Sequence, residues 1–199
     1  MREQVLALAR RFNFEEAHSL QDEHLALRLF DETARVGLHR MAETPLDEEK
    51  SLSARDILSY AAIVHDIGYT EGYEDHHKAA FRLITGERIP GISKPDQMLI
   101  ALVARYHRGA LADAARHEAF GALAIRQQRL VERLGAILRF ADGLDRGHTN
   151  AVRDLRLARD GNRLLVMLQP GADDEEERIY GQKKARWFES VFGVRVELR

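Results

Sequence analysis

Apolar residues recur at helical spacing through most of the chain, and strand-like alternation takes over only after about residue 150. Asn13-x-x-Glu16 reads as a capping box that opens a long helix carrying His18, Leu25, Leu29, Ala34 and Leu38 to about residue 43. Pro45 to Lys50 is a polar break, and Ser53-x-x-Asp56 opens the next helix. That helix is an apolar run from Ile57 to Val64, reaches the pair His65-Asp66 and stops at Gly68, a residue type that tolerates a left-handed cap. A short helix from Asp75 to Thr85 ends at Gly86. After the Pro90-Gly91 turn, Ser93 caps a helix through Met98, Leu99, Leu102, Val103 and Tyr106 that ends near Gly109.

Leu123, Leu130, Leu134, Ile137, Leu138 and Ala141 make the stretch from Ala122 to Leu144 a core helix whose last turn holds Asp142 and Asp145. Two apolar runs then flank Arg159-Asp160-Gly161-Asn162, and Asp-Gly is a strong hairpin signal. A helix from about Asp174 to Val191 and an alternating strand over Val194 to Leu198 close the chain. The expected fold is mainly α. A helical core over 1–150 carries a small antiparallel sheet and one packing helix, an α+β extension over 151–199.

With 199 residues and 45% hydrophobic content the chain can bury a sizeable core, so one compact domain is expected. It has no cysteine, which removes disulfides and thiolate metal sites and leaves His, Asp and Glu as the strong ligands. The first residues lack the apolar core of a signal peptide, and no apolar run is long enough to span a bilayer, so a cytoplasmic protein without membrane contact is expected. A net charge of -2 gives no global attraction to nucleic acid.

The candidate chemistry lies at His18, His65, Asp66 and Asp142. Each sits on or at the end of a predicted core helix, where a carboxylate is costly unless paired or metal-bound. Two imidazoles and two carboxylates suit an octahedral divalent cation, with positions left for water and a phosphate oxygen. Taken singly, His18 reads as a solvent-facing helix histidine and Asp142 as a helix-end carboxylate. His24 is placed outside the site, while His39, His117 and His148 read as surface residues, and Trp187, Phe188 and Phe192 as packing.

In order, these residues resemble the HD superfamily of metal-dependent phosphohydrolases. Glu16-x-His18-Ser19, His76-His77-Lys78, Arg105-Tyr106-His107-Arg108, Arg139-x-Ala141-Asp142-Gly143-Leu144-Asp145-Arg146 and Phe188-Glu189-x-x-Phe192-Gly193 extend the likeness. Together they resemble the C-terminal HD domain of the exopolyphosphatase/guanosine pentaphosphate phosphohydrolase (Ppx/GppA) family. In that family an actin-like N-terminal domain carries the exopolyphosphatase chemistry, and the matching motifs lie outside it, so that activity does not transfer.

The resemblance implies His18, His65, Asp66 and Asp142 as ligands of a divalent metal (Mn, Fe, Ni, Co, Zn or Mg), with Asp66, His65 and Asp142 at the chemical step. It implies His76 and His107 as a second metal site or phosphate contacts, and His77, Lys78, Arg105, Arg108 and Arg146 as substrate-binding residues. Asp22 stands where the family usually has an apolar residue, and is expected to hold the other nitrogen of His18. The implied reaction is cleavage of a phosphomonoester or phosphoanhydride bond of a small phosphorylated substrate, a nucleotide, by metal-bound water. The alternative is a non-catalytic module that binds a nucleotide or polyphosphate. The amphipathic tail and small sheet offer a possible homodimer interface.

Overall fold

The computed structural model describes residues 1–40 and 51–199; the expected break at Pro45 to Lys50 lies outside them. The centre of the molecule is α3 (Ala54–Val64), in which every residue but Arg55 and Asp56 is buried. Ser53 caps it by accepting from the Asp56 backbone N–H at 3.0 Å, as its sequence signature requires. Around α3 pack α1 (Arg2–Arg11), α2 (Glu16–Arg35), α5 (Lys94–Arg105) and α7 (Ile125–Gly143). Helix α4 (His76–Gly86) lies on α5, and the short α6 (Glu118–Gly121) leads into α7.

Several boundaries differ from expectation. Helix α1, which no pattern predicted, buries Val5, Leu6, Leu8 and Ala9. Asn13 adopts a left-handed φ of 49° just past α1, where its N–H and that of Phe14 bond the Arg10 and Ala9 carbonyls, so it closes α1 instead of opening α2, which starts without a side-chain cap. The same helix ends at Arg35 rather than near residue 43, with Gly37 at φ 74° turning the chain away.

Gly68 has an ordinary φ and sits in a 3-10 turn (Ile67–Glu71); what it provides is space. A Cβ there would collide with the backbone of α4 at His76 and Ala80. This close approach seats the start of α4, and with it His76, beside the end of α3.

The C-terminal residues form the expected hairpin, β1 (Val152–Asp160) with β2 (Arg163–Pro170), antiparallel with Leu157 opposite Val166. Helix α8 (Glu175–Phe192) then crosses over and delivers β3 (Arg195–Leu198) parallel to β2, with Leu164 opposite Val196. The sheet is therefore mixed rather than antiparallel, because an intervening helix returns the chain in the same direction, whereas a tight turn reverses it. Gln21 and Arg28 of α2 donate to the Val152 and Leu155 carbonyls, so β1 is stitched to the helical core. The other attachment is α8 on α7, where Gly143 and Gly181 approach closely. Among the described residues, no helix is long and apolar enough to cross a membrane.

Candidate metal centre and the cleft above it

Four imidazoles converge beneath one cleft, each anchored on the side away from its neighbours. His65 Nδ1 donates to the Ala62 carbonyl at 2.7 Å, His107 Nδ1 to Ala104 at 2.7 Å, and His76 Nδ1 to Tyr73 at 2.8 Å. In each case the acceptor lies three residues earlier, so local backbone geometry alone fixes the ring. His18 is anchored instead by a carboxylate, its Nδ1 lying 2.8 Å from Asp145 Oδ2. With every Nδ1 committed, the Nε2 atoms all face inward.

What they face is a set of buried carboxylates. Asp22 Oδ2 lies 3.6 Å from His18 Nε2 and 3.3 Å from His65 Nε2. Asp66 Oδ2 lies 3.7 and 3.4 Å from the same two nitrogens, and Asp142 Oδ1 is 3.9 Å from His18 Nε2. The other oxygen of Asp66, Oδ1, faces His76 Nε2 at 3.2 Å and His107 Nε2 at 3.4 Å, and those two nitrogens are 3.2 Å apart. Asp66 thus reaches into two adjoining groups of nitrogen and oxygen donors.

The residues present fit a divalent cation. His18, Asp22, His65 and Asp142 form one group, and His65, Asp66 and His107 another, that bring their donor atoms close enough to hold a metal ion. His18 Nε2, His65 Nε2 and both Asp22 oxygens are buried without a hydrogen-bond partner, a costly arrangement that a cation would offset.

Burial keeps the His65 imidazole neutral, lowered to about 4, and drives His107 well below its ordinary value. Burial also raises Asp22, to about 7, with Asp145 and Asp66 adding their repulsion. For His18 burial is outweighed by Asp22, Asp145 and Asp66, which raise it to about 9. Asp66 is held below the usual carboxylate range in spite of burial, by His65, His76 and His107.

The cleft above this cluster has a volume of about 490 Å³ and is lined by Asp66, His76, His107 and Asp142 at its base. Arg108, Arg139, Arg146, Lys183, Lys184 and Arg186 make its walls strongly cationic, and Tyr69, Leu111, Tyr180 and Trp187 add apolar faces. Arg108 lies over the Tyr73 ring at 4.7 Å and Arg146 over Tyr180 at 5.2 Å.

Of the residues expected in the site, His18, His65, Asp66, Asp142, His76 and His107 are brought together, and Arg108 and Arg146 reach the cleft. Three substrate residues are not. Lys78 is exposed and pairs with Asp75 at 3.0 Å, one turn back on the outer face of α4. Arg105 lies over the Phe81 ring at 5.3 Å, and the His77 ring packs toward Gly109. Helical periodicity explains Lys78, which falls on the outer face of α4 two residues after the inward-facing His76, whereas His77 is buried but turned toward Gly109.

Asp22 does not hold the second nitrogen of His18. That role falls to Asp145, while Asp22, one turn after His18, joins the donor cluster. His148, expected at the surface, stacks on His18 with ring centroids 3.7 Å apart and lines the cleft, its Nδ1 paired with Glu15 at 2.8 Å. His39 is buried beside Phe30 and Thr33. Trp187 packs against Gly135, as expected of a core residue, and also lines the cleft. His24 stays outside the site, near Asp154. Lys184, which no sequence signal marked, reaches from α8 to Asp142 Oδ2.

Fold and site together define a mainly helical domain with a buried histidine and aspartate cluster under a cationic cleft. The chain belongs to the family described as Ppx/GppA phosphatase, domain III, whose match covers residues 1–176. That range runs from α1 into the start of α8 and includes every residue of the cluster.

Proposed function

We propose that the chain is an HD-type metal-dependent phosphohydrolase that cleaves a phosphomonoester or phosphoanhydride bond of a small phosphorylated substrate, a nucleotide. The observation that carries this reading is the shared orientation of His18, His65, His76 and His107. Each commits Nδ1 to a fixed acceptor and turns Nε2 toward buried carboxylates. Outer hydrogen bonds of this kind set the tautomer of metal-binding histidines.

In this reading His18, His65, Asp66 and Asp142, joined by Asp22, hold one divalent cation. His76 and His107, beside Asp66 Oδ1, hold either a second cation or a substrate phosphate oxygen. When bound, such a cation polarises a phosphoryl oxygen and makes water nucleophilic at neutral pH. The chain itself does the rest: Arg108 and Arg146 orient phosphate, and Tyr69, Tyr180 and Trp187 offer faces for a base. A carboxylate oxygen of Asp142, at the base of the cleft, takes the proton of the attacking water. The phosphatase family and the cationic cleft support the substrate class.

The test is elemental analysis of the purified protein, followed by phosphate release from a nucleotide and polyphosphate panel with each of Mn, Fe, Ni, Co, Zn and Mg. One or two metals per chain with turnover is the expected result. Metal with ligand binding but no turnover would make the chain a regulatory module, and no metal under any condition overturns the reading.

A further inference from the structure

Lys184 carries a positive charge into the cluster from the helix farthest along the chain from its other members. Its ammonium contacts Asp142 Oδ2, and its side chain is mostly buried yet lines the cleft. The path it takes is built: a Cβ on Gly143 would lie 3.1 Å from Lys184 Cβ and Cδ, and 3.1 Å from Gly181 Cα. Paired glycines on α7 and α8 therefore let the lysine stem cross the helix contact and end on a candidate metal ligand. Arg108 and Arg139 stand on the same cleft and repel it, whereas Asp142, and beyond it Asp22 and Asp66, attract it.

We propose that Lys184 is the internal counter-cation of the metal centre: it neutralises Asp142 in the metal-free chain and, when a divalent cation takes Asp142, turns into the cleft to hold a substrate phosphate oxygen. The proposal rests on the metal-dependent reading above. Its physical basis is that an ammonium and a divalent cation cannot share one carboxylate without strong mutual repulsion. A four-carbon stem already at the cleft wall has the reach to move.

The experiment is calorimetric titration of Mn²⁺ into the chelator-stripped chain, then of orthophosphate into the Mn²⁺-loaded chain, for wild type, Lys184→Met and Lys184→Arg. Removing the resident charge should tighten Mn²⁺ binding by about tenfold or more, because the repulsion is lost. It should weaken orthophosphate binding by about tenfold, the loss of one charge-assisted hydrogen bond. Lys184→Arg should stay near wild type in both titrations. Unchanged or weaker Mn²⁺ binding by Lys184→Met overturns the counter-cation role, and unchanged orthophosphate binding overturns the phosphate contact.

If no variant and no wild-type chain binds Mn²⁺, the metal reading itself has failed. If wild type binds Mn²⁺ and Lys184→Met merely matches it, only the present proposal falls. Thermal melting covers a variant too unstable to titrate without metal: recovery of wild-type melting on adding Mn²⁺ supports the proposal, and failure to recover overturns it.

Discussion

His18 Nδ1 and Asp145 Oδ2 are 2.8 Å apart, fully buried, and separated by 127 positions in the chain. Asp145 is itself fixed, since its Oδ1 accepts from the Asn150 backbone N–H at 3.0 Å. The carboxylate therefore sets both the tautomer and the angle of the imidazole. Replacing Asp145 by Asn leaves the shape but loses the charge that makes His18 a strong donor, and is expected to weaken Mn²⁺ binding by roughly 10- to 100-fold. Calorimetry on the stripped protein measures this, and an unchanged affinity would detach His18 from the metal site.

Among the described residues, Asp66 is the one carboxylate whose two oxygens face different histidine pairs. Asp66→Ala is expected to abolish metal binding and turnover together, while the fold survives because the lost side chain sits at the end of α3 outside its apolar core. Metal content and phosphate release measured on one preparation test the point. A variant that keeps full activity would remove Asp66 from the site.

Gly68 is expected to resist even alanine. The added methyl would sit 2.6 Å from the Ala80 nitrogen and closer still to the His76 carbonyl oxygen, both backbone atoms that cannot rotate away. Overpacking costs about 1–3 kcal/mol and at times more, and Gly68→Ala should lie near the top of that range. Urea unfolding reads the loss. Because relief requires α4 to shift, the variant should also bind metal less tightly through a displaced His76.

Glu32 ties α2 to the sheet by accepting from the Leu157 backbone N–H at 2.8 Å while paired with Arg35. Its hydrogen bond from Arg35, opposed by some burial and reinforced by the Leu157 N–H, lowers it from 4.5 to about 2. A carboxylate depressed in the folded state stabilises fully above its unfolded value, so this contribution is present above about pH 4.5 and fades as pH falls toward about 2. Melting curves of wild type and Glu32→Gln should differ most at neutral pH, by about 1–2 kcal/mol, and converge in acid. A difference that does not change with pH would contradict the assignment.

Much of the candidate cluster was legible because several of its residues are fixed locally. His65-Asp66 follows an apolar helix that must be buried, and the Nδ1 of His65, of His76 and of His107 finds its acceptor three residues back. The exact partner of His18 was not legible: Asp22 and Asp145 are both acids near predicted helices, and only the angle between α2 and the end of α7 decides which faces Nδ1. Lys78 and Arg105 misled for a related reason, since a motif in sequence does not say which of its neighbours shares the inward face.

The sequence by itself determined most of the helices though not α1, the Ser53 and Ser93 caps, the Asp160-Gly161 hairpin and the order of the histidine and aspartate residues, because periodicity, capping and turn preference act over a few residues. Tertiary structure alone decided the parallel seat of β3, the pairing of His18 with Asp145, the stacking of His148 and the arrival of Lys184 at Asp142. Each of these depends on where two distant elements meet, and that is set by the packing of whole helix and sheet faces, such as the glycine contact of Gly143 with Gly181, which no local pattern encodes.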